Sequence, residues 1–102
     1  MAYEDIIMAL ADPTRRAVLE ALRGGPLSVS ALALGRTVSR PAISQHLKVL
    51  EQAGLVSATP LGNQRIYAIR RDGLAELRGY LDGFWNEALS AYSAEIQRRF
   101  GN

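Results

Sequence analysis

Apolar positions along the chain follow a helical period up to Leu50, a strand-like pattern from Leu55 to Ile69, and a helical period again to Ile96. Tyr3, Ile6, Ile7 and Leu10 step by threes and fours and predict a first short helix over residues 2–11. Asp12-Pro13 ends it and opens a second helix, with Asp as cap and Pro in the first turn. There Val18, Leu19 and Leu22 face inward while Arg15, Arg16 and Glu20 face water, and Gly24-Gly25-Pro26 stops the run. Leu27, Ser28 and Leu32 have the spacing of a hydrophobic staple across a helix start. A third helix, short and rich in Ala and Leu, is expected over about residues 28–36.

The stretch SRPAISQHLKVLEQAG, residues 39–54, carries the clearest helix signals. Ser39 caps, Pro41 sits in the first turn, and Gly54 stands where a left-handed cap ends the helix. Ile43, Leu47 and Leu50 form one apolar stripe. Opposite it lie Pro41, Ser44, Gln45, Lys48 and Gln52, with no carboxylate before Glu51. Only Thr37 and Val38 separate this helix from the third, so the two are expected to cross steeply as a helix-turn-helix, with Val38 filling the corner.

Two runs rich in β-branched and aromatic residues follow, 55–59 and 65–69, around Pro60-Leu61-Gly62-Asn63-Gln64. They predict a hairpin with a polar tip, the wing of a winged helix. From Asp72, read as a cap, a long helix of about 27 residues is expected to span about 40 Å, longer than a domain this small is wide. Its stripe runs through Leu74, Leu77, Leu81, Trp85, Ala88, Tyr92 and Ile96, widened by Phe84 and Leu89, while Gly79 and Gly83 fall on the opposite face. The outer part of that stripe needs another surface. A homodimer seam built from Tyr3, Ile6 and Ile7 with Leu81, Trp85, Ala88, Leu89, Tyr92 and Ile96 would supply it. The expected fold is mainly α with a small β-hairpin: one winged helix-turn-helix domain over residues 1–102, with about five helices, a wing, and dimerisation helices at both ends.

Composition narrows the function. The chain has 102 residues, 48% of them hydrophobic and 22% charged, as in an ordinary globular domain. Its net charge is only +2, but Arg36, Arg40 and Lys48 follow one another without an intervening acid, and Arg65, Arg70 and Arg71 precede Asp72. Cysteine is absent, which excludes disulfides, thiolate metal sites and thiol switches. No apolar run approaches the ~20 residues of a membrane span, and no charged-then-apolar signal opens the chain, so a cytoplasmic protein is expected. One His and no Gly-rich loop between strand and helix leave nothing for catalysis or a cofactor to use.

The chemistry that remains is that of double-stranded DNA. Gln45 can make paired hydrogen bonds to adenine through the oxygen and nitrogen of its amide, while Arg40, Lys48 and Ser44 can hold phosphates. Ser39 and Pro41 share the start of the helix, His46 lies toward its side near the Ala42–Val49 edge, and Asn63, Gln64 and Arg65 give the hairpin its polar reach. A lone His is more often a local hydrogen-bond partner than a metal ligand, and no metal site is expected. The alternative from another class is a winged helix that binds protein and not DNA. Acidic or apolar residues on the recognition face would favour it; Arg40, Gln45 and Lys48 argue against it.

ALADPTRRAVLEAL at 9–22, VSRPAISQHLKVLEQAGLV at 38–56 and RIYAIRRDGLAELRGYLDGFW at 65–85 resemble the ArsR/SmtB family of bacterial winged-helix regulators. The resemblance implies a homodimer joined through first and last helices, the fourth helix in the major groove, and repression of nearby genes. This chain departs from the family's familiar metal sensors. Its third helix lacks Cys, and its last helix has Asp82, Glu87 and Glu95 but no His. It is most similar to the cysteine-free, autoregulator-like branch, so a small-molecule or protein effector is left open. The usual Leu-Gly before Val38-Ser39 is replaced by Arg36-Thr37, and the wing has fewer cations than the resemblance implies.

Overall fold

The computed structural model describes residues 2–101, with side chains from Glu4 onward; the Tyr3 side chain, named for the seam, lies outside the described residues. The order is α1 (Ala2–Leu10), α2 (Pro13–Ala21), a 3-10 turn (Leu22–Gly24), β1 (Leu27–Ser28), α3 (Val29–Ala33), α4 (Arg40–Gln52), β2 (Val56–Leu61), β3 (Gln64–Ile69) and α5 (Arg71–Phe100). The core joins Ile6 and Ala9 of α1 to Val18, Leu19, Leu22, Leu32, Ile43, Leu47, Leu50, Leu55, Val56 and Tyr67. Each large side chain fully withdrawn there contributes about 1.5–3 kcal/mol. No carboxylate or cation is buried among the described residues.

Local signals set the helix ends. The Asp12 carboxylate accepts from the Arg15 N–H at 3.0 Å, the Ser28 hydroxyl from the Ala31 N–H at 3.1 Å, and the Ser39 hydroxyl from the Ala42 N–H at 3.3 Å. α4 closes in a Schellman motif: Gly54 at φ 80° donates to the Glu51 carbonyl and Leu55 to that of Leu50, both at 3.0 Å.

Four boundaries differ from the sequence reading. α3 stops at Ala33, because Leu34 turns extended, Gly35 takes φ 72°, and Arg36 Nε donates to the Leu32 carbonyl at 2.6 Å. The connection to α4 is therefore residues 34–39 and not two residues, with half-buried Val38 packed on the core. The hairpin tip shrinks to Gly62-Asn63: Gly62 at φ 63° opens a two-residue turn, and Pro60, Leu61 and Gln64 join the strands. Pro60 is tolerated because β2 is an edge strand in the antiparallel order β1-β3-β2. β1 lies where the sequence pattern predicts no strand; its two residues pair Leu27 with Tyr67 and Ser28 with Ile66.

The start of α5 is the fourth. Arg70 is its boundary residue, and Asp72 lies inside the first turn, where its carboxylate accepts from Arg70 Nη2 at 2.6 Å. That hydrogen bond, working against partial burial and helped by the Arg70 charge, holds the Asp72 carboxyl below the usual carboxylate range. Arg70 N–H donates to the Leu55 carbonyl at 2.8 Å, and Gly73 packs so near the Gly54 backbone that a Cβ would collide with the Gly54 carbonyl. Leu74 and Leu77 are half-buried on the core, and no residue of α5 is fully buried. Its 30 residues carry it well past the body. The radius of gyration is 18.4 Å, against about 13 Å for a compact chain this long, and the longest dimension is 67 Å.

Candidate nucleic-acid interface

α4 is held by its apolar stripe: Ile43, Leu47 and Leu50 are completely covered, which turns Ser44, Gln45 and Lys48 outward. The first turn of α4 lies beside the turn end of the hairpin. Arg40, Pro41 and Ser44 line one side of an open cleft of about 370 Å³, and Asn63, Gln64, Arg65 and Tyr67 line the other, with Ser28, Val29 and Ser30 between them. No carboxylate borders it. Residues more than twenty positions apart thus share one polar, cationic surface. Arg65 stands across the strand pair from Pro60, its guanidinium 6.0 Å from the ring centre of Tyr67, which is only 6% exposed and gives that cation a fixed seat. Among the described residues Arg40 and Lys48 have no ion-pair or hydrogen-bond partner for their side chains.

Gln45, His46 and Lys48 border a second hollow, of about 340 Å³, with Arg15, Val49 and Gln52. His46 is half-buried there, its Nδ1 3.5 Å from Arg15 Nη1. Ser39 is engaged as the α4 cap, and Asn63 forms the exposed turn.

Arg16 is exposed, as its place on the polar face predicts, and Arg15 is half-buried; both reach back over the end of α1. Arg15 Nε donates to the Ala9 carbonyl at 2.6 Å, and Arg16 Nη1 to the Leu10 carbonyl at 2.7 Å. A helix leaves its last carbonyls without partners, and these two cations supply them. The Asp12 carboxyl at this corner is held below the usual range, first by the Arg15 backbone N–H and then, against partial burial, by the Thr14 N–H and the nearby charges of His46 and Arg15.

Of the residues named for a dimer seam, Ile6 is only 1% exposed and belongs to the core of the domain itself. Helical geometry points Ile6 and Ile7 in different directions, and Ile7 is the exposed one. Leu81, Trp85, Ala88, Leu89, Tyr92 and Ile96 are all exposed along α5.

The description "Bacterial regulatory protein, arsR family" matches residues 12–58, which run from the α2 cap into β2. The HTH-type transcriptional regulator Rv2034 of Mycobacterium tuberculosis is 55% identical over 88 residues, covering 86% of this chain and 82% of that protein. The chain belongs to the ArsR family. It is a winged-helix transcriptional regulator and not an enzyme. The transcriptional repressor SdpR of Bacillus subtilis is 31% identical over 81% of this chain and 92% of its own length. Among solved structures, an ArsR-like transcriptional regulator from Rhodococcus sp. RHA1 superposes with a TM-score of 0.82 at 30% identity, over 96% of this chain and 92% of that one. No helix among the described residues is long and apolar enough to cross a membrane.

Proposed function

We propose that residues 1–102 act as one cytoplasmic winged-helix domain, a dimeric repressor that reads an inverted-repeat operator through α4 with the β2–β3 hairpin as its wing. The observation that carries this reading is the acid-free cleft joining the polar face of α4 to the hairpin, with Arg40 free of internal partners. A surface of this kind suits a polyanion, and the width of the major groove admits a helix such as α4. Gln45 reads a base. Arg40, Ser44, Lys48 and Arg65 hold phosphates and set the register; Ser39 and Pro41 at the start of α4 and His46 on its side complete the DNA-binding surface, and Asn63 and Gln64 extend the contact along the hairpin. The bare stripe of α5, with exposed Ile7 beside it, supports a twofold dimer that presents two α4 helices roughly one DNA turn, about 34 Å, apart. Repression is supported by the name of the Bacillus relative. Release by a protein partner, an organic ligand or dilution fits a chain without cysteine.

The test begins with selection from random-sequence DNA by the purified chain, followed by anisotropy titration of the enriched duplex. An inverted repeat is expected. Gln45→Ala is expected to weaken the enriched duplex by about 1–3 kcal/mol and to relax preference at one position per half-site. Selection that enriches no sequence, or salt-independent binding, would overturn the DNA-reading proposal in favour of a protein-binding winged helix.

A further inference from the structure

We propose that Arg15 is a positioning residue for DNA reading, tying the recognition helix to the end of α1 through His46. The inference rests on α4 being the element that reads DNA. The Arg15 guanidinium is engaged on two sides. Toward α1, Nε donates to the Ala9 carbonyl at 2.6 Å and Nη2 reaches the Met8 carbonyl at 3.5 Å. Toward α4, Nη1 lies 3.5 Å from His46 Nδ1. A guanidinium has donors and no acceptor, so a hydrogen bond across this gap requires Nδ1 to accept. The Asp12 carboxylate, which caps α2, lies close enough to interact with both groups and gives the cluster its counter-charge.

His46 follows Gln45 directly, and both border the same hollow as Arg15. Holding the ring therefore limits rotation of α4 about its axis, the rotation that aims Gln45. The adjoining exposed residue of α1, Ile7, belongs to the surface assigned to the seam. Arg15 thus links three elements with one planar group: it is part of α2, reaches the Ala9 and Met8 carbonyls of α1, and touches α4 at His46, adding a polar restraint to the buried stripe.

The experiment compares the full chain with His46→Ala, His46→Asn, Arg15→Met and the double variant Arg15→Met/His46→Ala. The probes are a duplex enriched by the wild type from random-sequence DNA and a scrambled duplex of the same length. His46→Ala is expected to weaken the enriched duplex about tenfold while the scrambled duplex changes less than about twofold. His46→Asn keeps an acceptor, Oδ1, where Nδ1 stood, and is expected to return to within about threefold of wild type. The double variant is expected to be no weaker than the weaker single variant, because both changes break one link.

Wild-type affinity in His46→Ala would overturn the proposal. So would a His46→Asn variant as weak as His46→Ala, or losses that multiply to about a hundredfold in the double variant. Arg15→Met also frees the α1 carbonyls and can loosen that corner, whereas the two His46 variants leave those carbonyls their partner. Failure of the wild type to enrich any sequence would remove the DNA reading and this inference together. A silent His46→Ala in a chain that does enrich a sequence would remove only the coupling.

Discussion

α4 and α5 carry the same device, an apolar stripe opposite a polar face, and meet opposite fates. In α4 the stripe is sealed by the rest of the body, and the polar face is left to bind something. In α5 only Leu74 and Leu77 reach the core; beyond them Leu81, Trp85 and Tyr92 stand 52%, 62% and 65% exposed. An amphipathic pattern states that a face needs cover. It does not state which molecule supplies the cover. In one helix the unsatisfied side is polar and suits DNA; in the other it is apolar and suits a second copy of the chain.

The widest gap between the two helices is expected from Ala88→Glu, which sets a carboxylate against its twofold mate at the proposed seam while leaving the body untouched. Light scattering is expected to show monomers. Operator affinity is expected to fall about 10²–10⁴-fold, the gain normally supplied by linking two binding modules. A dimer that survives this change, or a monomer that binds as tightly as wild type, would break the contrast between α4 and α5.

Leu47→Ala tests the other side. Leu47 is completely covered, so truncation is expected to cost about 2–5 kcal/mol of folding stability in urea melts. Tyr92→Ala, on the exposed stripe, is expected to leave the stability of a monomeric Ala88→Glu chain unchanged. Equal losses in both would mean that α5 is covered within the protomer after all.

Phosphate contacts sharpen the picture of α4. Arg40→Ala or Lys48→Ala is expected to weaken enriched and scrambled duplexes alike and to lower the slope of log affinity against log salt by about one per half-site. A loss confined to the enriched duplex would make either residue a base reader.

The smallest effect concerns the α1–α2 corner. Asp12 titrates below its ordinary range in the folded chain, so its contribution to stability is present above about pH 4 and is lost as pH falls through the folded value. Melting temperatures measured from pH 6 to 2.5 are expected to drop more steeply for wild type than for Asp12→Asn, which keeps a cap oxygen that does not titrate. Parallel curves would show that the carboxylate charge adds nothing to the cap.

Much of this regulator is legible residue by residue. Asp12, Ser28, Ser39 and Gly54 each act on backbone groups within one turn, so their spacing alone marks helix ends. Ile43, Leu47 and Leu50 repeat at a period that only one face of a helix can bury, and Ser44, Gln45 and Lys48 are outward by the same arithmetic. The long stripe of α5 is readable for the same reason.

Other features belong to the tertiary structure because their partners are far along the chain. β1 has two residues, too few for any period, and exists because Tyr67 and Ile66 offer it an edge. Arg15, Arg16 and Arg36 look like solvated cations until their guanidinium groups are seen on helix-end carbonyls, since a long flexible side chain obeys no fixed spacing. Ile6 and Ile7 are interchangeable in composition, and only the packing of α1 sends one to the core and the other to the surface. The cleft between Arg40 and Arg65 needs the hairpin to fold back against α4. Local signals act through the backbone over a few ångströms of chain; a site assembled through space waits for the core that brings its parts together.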